Sequence, residues 1–199
     1  GDFLYSRSFE MMVELGSMPV MQILSHATRV IAEGEVLQLS KVRDASTTEE
    51  TYMEVIRGKT AMLFEASTHS AAALAQTGDS QRQALQRFGD HLGIAFQLVD
   101  DLLDYRGDAS ELGKNVGDDL AEGKPTLPLI HAMRRGTAEE ARIIRTAIEQ
   151  GGLEHIDIVT RTIESTGALD YTARLAAEQS ERAIASLPIS VAARSKAWT

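Results

Sequence analysis

Apolar residues recur at three- and four-residue intervals along almost the whole chain, and glycine, proline and capping residues punctuate the runs. The first run, residues 2–15, ends at Gly16. Pro19 opens a second helix in its first turn, where a missing N–H costs nothing. That helix is expected to run through Ile23, Ala27, Val30 and Ile31 to Leu37 or Leu39, with Glu33, Glu35 and Gln38 near its end. Thr47-Thr48-Glu49-Glu50 reads as a capping box that starts a long helix reaching Gln76, with Gly78 as the stop. Another helix starts near Asp79-Ser80. After residue 105 the pattern lapses, then restarts at Thr126-Leu127-Pro128 and stops at Gly136. Thr137-Ala138-Glu139-Glu140 is a second capping box, leading to Gly151-Gly152. Residues 153–166 and 168–187 give two more amphipathic helices, and Pro188 breaks the pattern before a weakly specified tail, 188–199. No alternating strand pattern, repeat or low-complexity tract interrupts this order. The prediction is an all-α chain, 1–199, forming a single domain.

One helix departs from ordinary amphipathicity. Residues 92–105 are strongly apolar except for Gln97, Asp100, Asp101 and Asp104, which share one face at three- and four-residue spacing. Ile94, Leu98, Leu102 and Tyr105 cover much of the remainder. Like-charged carboxylates taken out of water cost several kcal/mol unless a cation compensates them. Hard oxygen donors suit Mg²⁺. A bare DDxxD reads more readily as an exposed acidic helix end, so its context decides.

Composition narrows the context. The chain has 199 residues, 43% hydrophobic and 25% charged, with only four prolines, which is the balance of a helical globular domain with a sizeable core. A net charge of −9 argues against a nucleic-acid partner, because phosphate-backbone binding needs clustered Lys and Arg. No cysteine is present, which excludes disulfides and thiolate metal sites and is compatible with a reducing, cytoplasmic setting. No apolar run approaches the roughly 20 residues of a transmembrane helix. The start has neither the basic nor the apolar segment of a signal peptide and lacks an initiator Met, so the chain reads as a fragment.

Two further features join the acid stripe. Lys59-Thr60 lies mid-helix among Tyr52, Ile56 and Leu63, where a lysine either snorkels to the surface or meets an anion. Residues 106–125 hold four glycines, five carboxylates and the lysines Lys114 and Lys124, a loop of the length that usually carries function. A helix-borne acid cluster, an inward lysine and a basic loop together describe a site for a Mg²⁺-bound diphosphate.

The sequence resembles the trans-isoprenyl diphosphate synthases. Gly93-x-x-Phe96-Gln97-x-x-Asp100-Asp101-x-x-Asp104 is similar to that family's second aspartate-rich region, followed by Gly113-Lys114-x-x-Gly117-Asp118-Asp119 and Gly123-Lys124-Pro125-Thr126-Leu127-Pro128. Lys59-Thr60 matches the Lys-Thr pair, Gly34-Glu35-Val36-Leu37-Gln38-Leu39 a further helix segment, and Gly1-Asp2-Phe3-Leu4 the start of the helix after the first aspartate-rich motif. The likeness runs to about Leu187 and is greatest to the bacterial members that make octaprenyl chains for ubiquinone.

The resemblance implies a bundle of long, mostly antiparallel helices around a central cavity. It implies Mg²⁺-dependent condensation of an allylic diphosphate with isopentenyl diphosphate, in a homodimer with peripheral membrane contact for product release. By the same resemblance Asp100, Asp101 and Asp104 hold Mg²⁺. Lys59, Thr60, Gln97 and Lys114 are carried over as catalytic and substrate-binding residues, with Lys124 as a further substrate contact. The family's first DDxxD, its adjacent Arg-Arg and the basic residues that bind isopentenyl diphosphate are missing from this sequence. The bundle is therefore expected to be incomplete at its N-terminus, and these residues alone are expected to turn over little substrate. Two other readings use the same residues: a non-catalytic subunit of a heteromeric prenyl synthase, and a terpene cyclase. The Lys59-Thr60 pair and the Gly-Lys-Pro-Thr-Leu-Pro loop speak against the cyclase.

Overall fold

In the computed structural model of the chain, residues 1–106 and 117–187 are described. The helices are α1 (Asp2–Leu15), α2 (Met18–Lys41), α3 (Glu49–Ile56), α4 (Met62–Leu74), α5 (Asp79–Arg106), α6 (Asp118–Ala121), α7 (Leu127–Arg135), α8 (Ala138–Gln150), α9 (Ile156–Ser165) and α10 (Ala168–Ser186). A π-helical turn, Arg57–Ala61, joins α3 to α4. No strand occurs among the described residues, so the fold is all-α as expected. The tail 188–199 lies outside them.

The termini follow local chemistry. Gly16 closes α1 in the left-handed conformation, Pro19 sits in the first turn of α2, and Thr137 and Glu140 form a reciprocal capping box on α8. The first expected box is different. Thr48 is the N-cap of α3, its hydroxyl accepting from the Thr51 N–H at 3.2 Å. Thr47 instead donates its hydroxyl to the Asp44 carbonyl at 2.8 Å, because the chain is still turning there. α2 runs past Leu39 to Lys41, and α9 begins at Ile156 rather than 153, after left-handed Gly151 and Gly152. The expected loop 106–125 is helical again at α6.

The long helix predicted to reach Gln76 is broken by the π turn and ends at Leu74. Backbone crossings pin the turn on both sides. A Cβ on Gly34 of α2 would come within 2.6 Å of the Lys59 nitrogen and 2.8 Å of the Gly58 carbonyl carbon. A Cβ on Gly93 of α5 would meet the Ala61 Cα at 2.4 Å. A π turn inserts a residue and re-aims the side chains beside it, and here those side chains are Lys59 and Thr60.

α5 is the central element, packing most extensively on α10 and α4. One core holds Tyr52, Ile56, Ala61, Ile94, Leu98, Leu127 and Ile130 around the middle of α5. The other joins Tyr105 and Leu120 to Ile144, Ile148, Val159 and Ile163 of α8 and α9. Ile94, Leu98, Leu102 and Tyr105 are all buried, as the apolar side of the stripe predicted. α1 behaves otherwise. Its amphipathic pattern buries only Met12 and leaves Phe3, Leu4 and Val13 exposed, because a pattern marks a face without supplying a partner for it.

Candidate active site

The π turn, α3, the end of α2 and the acid stripe of α5 enclose a cavity of about 290 Å³. Lys59, Thr60, Gln97, Asp100, Asp101 and Lys124 all line it. Its apolar wall comes from Val42, Val55, Ile56 and Pro125. Six of the eight residues singled out from sequence are thus gathered in one place. Asp104 stands one turn further along α5, and Lys114 lies outside the described residues.

A hydrogen-bonded chain fixes the site's geometry. The Thr60 hydroxyl donates to Gln97 Oε1 at 2.9 Å, and Gln97 Nε2 donates to Asp101 Oδ1 at 2.8 Å and to Asp100 Oδ2 at 3.3 Å. Two carboxylate acceptors on one side and a hydroxyl donor on the other leave the Gln97 amide a single sensible orientation. Tyr52 completes the chain by donating its hydroxyl to Asp101 Oδ2 at 2.6 Å.

Asp101 is only 2% exposed. Burial pushes its carboxyl up to about 7, the charges of Asp119 and Asp100 add to the rise, and the bonds from Tyr52 and Gln97 oppose it. Burial likewise lifts the Tyr52 phenol well above its ordinary value, reinforced by the Asp101 charge. Asp104 accepts from the backbone N–H groups of Asp118 and Asp119 at 3.1 and 3.3 Å, so it holds the start of α6. Burial and the Asp119 charge raise its carboxyl to about 6.

The lysines are engaged by acids at the rim. Lys59 pairs with Glu35 at 3.0 Å and donates to Gln38 Oε1. Lys124 lies 3.1 Å from Asp119 and 2.7 Å from Glu122. Burial alone would lower the Lys124 ammonium's pKa, but these two carboxylates outweigh it and raise it. Among the described residues no three acidic or histidine side chains form a ready metal cage.

Tyr52, Asp119 and Gln38 were not singled out as site residues from sequence. A tyrosine at an apolar helix position reads as core, although its spacing from Ile56, Lys59 and Thr60 was a usable signal. Asp119 reads as a loop acid, and only folding of α6 onto the cavity brings it in.

Fold and cavity define an all-α bundle protein whose central helix presents carboxylates opposite lysines. The sequence profile of the Polyprenyl synthetase family matches residues 1–165, and the chain belongs to that family. It is 53% identical over 190 residues to the octaprenyl diphosphate synthase of Escherichia coli (strain K12), covering 95% of this chain and 59% of that relative. Identity to the all-trans-nonaprenyl-diphosphate synthase (geranyl-diphosphate specific) of Rhodobacter capsulatus is 48% over 189 residues, covering 95% of this chain and 58% of the relative. The fold matches the crystal structure of a polyprenyl synthase from Caulobacter crescentus CB15, complexed with calcium and isoprenyl diphosphate, with a TM-score of 0.87 at 45% identity. That match covers 93% of this chain and 57% of the other. The chain thus spans less than three fifths of the length of these relatives.

Proposed function

We propose that this chain is the larger part of the catalytic bundle of a Mg²⁺-dependent prenyltransferase. Its reaction is the condensation of isopentenyl diphosphate with an allylic diphosphate to a long all-trans polyprenyl diphosphate, octaprenyl by its likeness to the Escherichia coli relative, for the ubiquinone side chain. The observation that carries the reading is the convergence of Lys59, Thr60, Gln97, Asp100, Asp101 and Lys124 on one cavity at the π turn.

The donor set fits a hard divalent cation. Asp100 and Asp101 offer carboxylate oxygens in the cavity, and Asp104 is added by resemblance and would have to release the α6 amides. Burial raises the proton affinity of Asp101, an acid that a cation would hold as its carboxylate. Bound there, Mg²⁺ supplies neutralisation of charge on a departing diphosphate. Lys59 and Lys124 would exchange their present carboxylate partners for diphosphate oxygens, and Lys114 is assigned the same task by resemblance. Thr60 and Asp101 orient Gln97, whose carbonyl oxygen supplies negative dipole beside a developing allylic cation. The apolar wall of Val55, Ile56 and Pro125 keeps water from quenching that cation.

The working enzyme is proposed to be a cytoplasmic homodimer that contacts membrane peripherally to release product. The exposed Phe3, Leu4 and Val13 of α1 favour association, and no described helix is long and apolar enough to cross a membrane. The test is incubation with farnesyl and isopentenyl diphosphates and Mg²⁺, reading the extracted products. A longer protein carrying these residues is expected to yield all-trans octaprenyl diphosphate, and residues 1–199 alone little or nothing. No product from the longer protein overturns the function, and product only on mixing with a second subunit identifies the non-catalytic partner instead.

A further inference from the structure

A second hollow, about 520 Å³, lies at the other end of α7, between that helix's C-terminus and the start of α10. Arg134, Arg135 and Arg174 line it together with His131, Tyr171 and Gly167, and Asp170 is the one carboxylate in the lining. The Tyr171 ring is the scaffold. His131 stacks on it at 4.2 Å between centroids, and the Arg134 and Arg174 guanidinium carbons stand 5.8 and 5.3 Å from its centre.

The charge balance favours an anion. Two acids are nearby, and both are already engaged: Glu49 accepts from Arg134 at 3.3 Å and from the Tyr171 hydroxyl at 2.6 Å, and Asp170 pairs with Arg106 at 3.2 Å. Among the described residues no carboxylate pairs with Arg135 or Arg174. Three arginines crowd one hollow in a protein whose net charge is −9. The positive field reaches His131, whose pKa is lowered first by burial and then by Arg134, Arg135 and Arg174. Gly167 adds to the same end: it is the N-cap of α10 in the left-handed conformation, with no side chain capping the first-turn N–H groups. Guanidinium forks suit the tetrahedral oxygens of phosphate better than a point charge does.

We propose that this hollow is a binding site for a phosphate or diphosphate group, separate from the cavity beside α5. The two sites are joined physically. α7 spans the gap, since Thr126 borders the cavity and Arg135 the hollow about 13 Å along the helix. The Tyr171–Glu49 bond ties the hollow to the first residue of α3, one turn before Tyr52, which holds Asp101. The proposal is independent of the catalytic reading, because none of its residues belongs to that cavity.

The test is calorimetric titration of residues 1–199 with inorganic diphosphate in EDTA, so that metal-assisted binding at the cavity is absent. An Arg135→Gln/Arg174→Gln double variant is compared with a charge-matched Arg145→Gln/Arg182→Gln control, whose exposed arginines line neither the hollow nor the cavity, and circular dichroism melts verify that each folds. Saturable, salt-sensitive binding is expected, weakened at least fivefold in the Arg135/Arg174 variant and unchanged in the Arg145/Arg182 control. Shifts of the Ala168 and Leu169 amide resonances locate it. Equal binding of ADP shows that the diphosphate group itself is read, and tighter binding of ADP shows that the ligand is a larger organic diphosphate. No saturable binding, equal binding by the Arg135/Arg174 variant, or an equal loss in the Arg145/Arg182 control overturns the proposal.

Discussion

Asp101 and Asp104 lie one helical turn apart on the same face of α5, and the structure uses them differently. Asp101 points into a cavity, buried against Tyr52 and Gln97. Asp104 accepts from two backbone amides at the start of α6. Two aspartates three residues apart thus meet different partners, side chains lining the cavity at one and the backbone of α6 at the other. The difference comes from the neighbours: a glycine-pinned π turn on the side of the first, the start of α6 beside the second.

The largest effect comes from the backbone crossing of α5 on the π turn, about two helical turns before Asp101. Gly93→Ala sets a methyl against the Ala61 Cα at 2.4 Å and is expected to cost about 3 kcal/mol, read as a lower denaturant midpoint. Removing the Asp101 donor is next. Tyr52→Phe should cost about 2 kcal/mol near pH 8, where a buried carboxylate oxygen loses its partner. Chemical denaturation at pH 8 measures it.

pH acts on both carboxyls in the same direction, further for Asp101 than for Asp104. The folded Asp101 carboxyl binds its proton more tightly than the ordinary carboxylate value of 3.8, up to about 7. Its contribution to stability is therefore greatest below about pH 4 and is lost as pH rises to 7. Metal-free protein should melt higher at pH 5 than at pH 8, and Asp101→Asn should flatten that slope. Asp104→Ala gives the smallest effect, about 1 kcal/mol, the scale of a lost helix cap. Hydrogen exchange at the Asp118 and Asp119 amides should rise in that variant while exchange in α3 stays unchanged.

These differences also mark how far the sequence could be read. The stripe 97-100-101-104 was legible because helix periodicity puts those residues on one face, and most helix ends followed from Pro, Gly and capping chemistry. The π turn was not, because a one-residue change of register is smaller than the width of an apolar stripe. That turn decides where Lys59 and Thr60 point. The Asp104 clasp was also hidden, since an acid's partner 14 residues away in sequence leaves no periodic trace. α1 shows the converse: a clear amphipathic pattern, with its apolar face left largely uncovered by the described residues.

The central claim is that the cavity beside α5 holds a diphosphate through a divalent cation. The direct measurement is calorimetric binding of an unreactive allylic thiolodiphosphate to residues 1–199, with Mg²⁺ and with EDTA. The account predicts a Mg²⁺-dependent component that disappears in Asp101→Asn and weakens in Lys59→Gln. Binding that is the same with and without Mg²⁺, or a Mg²⁺-dependent component that survives Asp101→Asn intact, would contradict it.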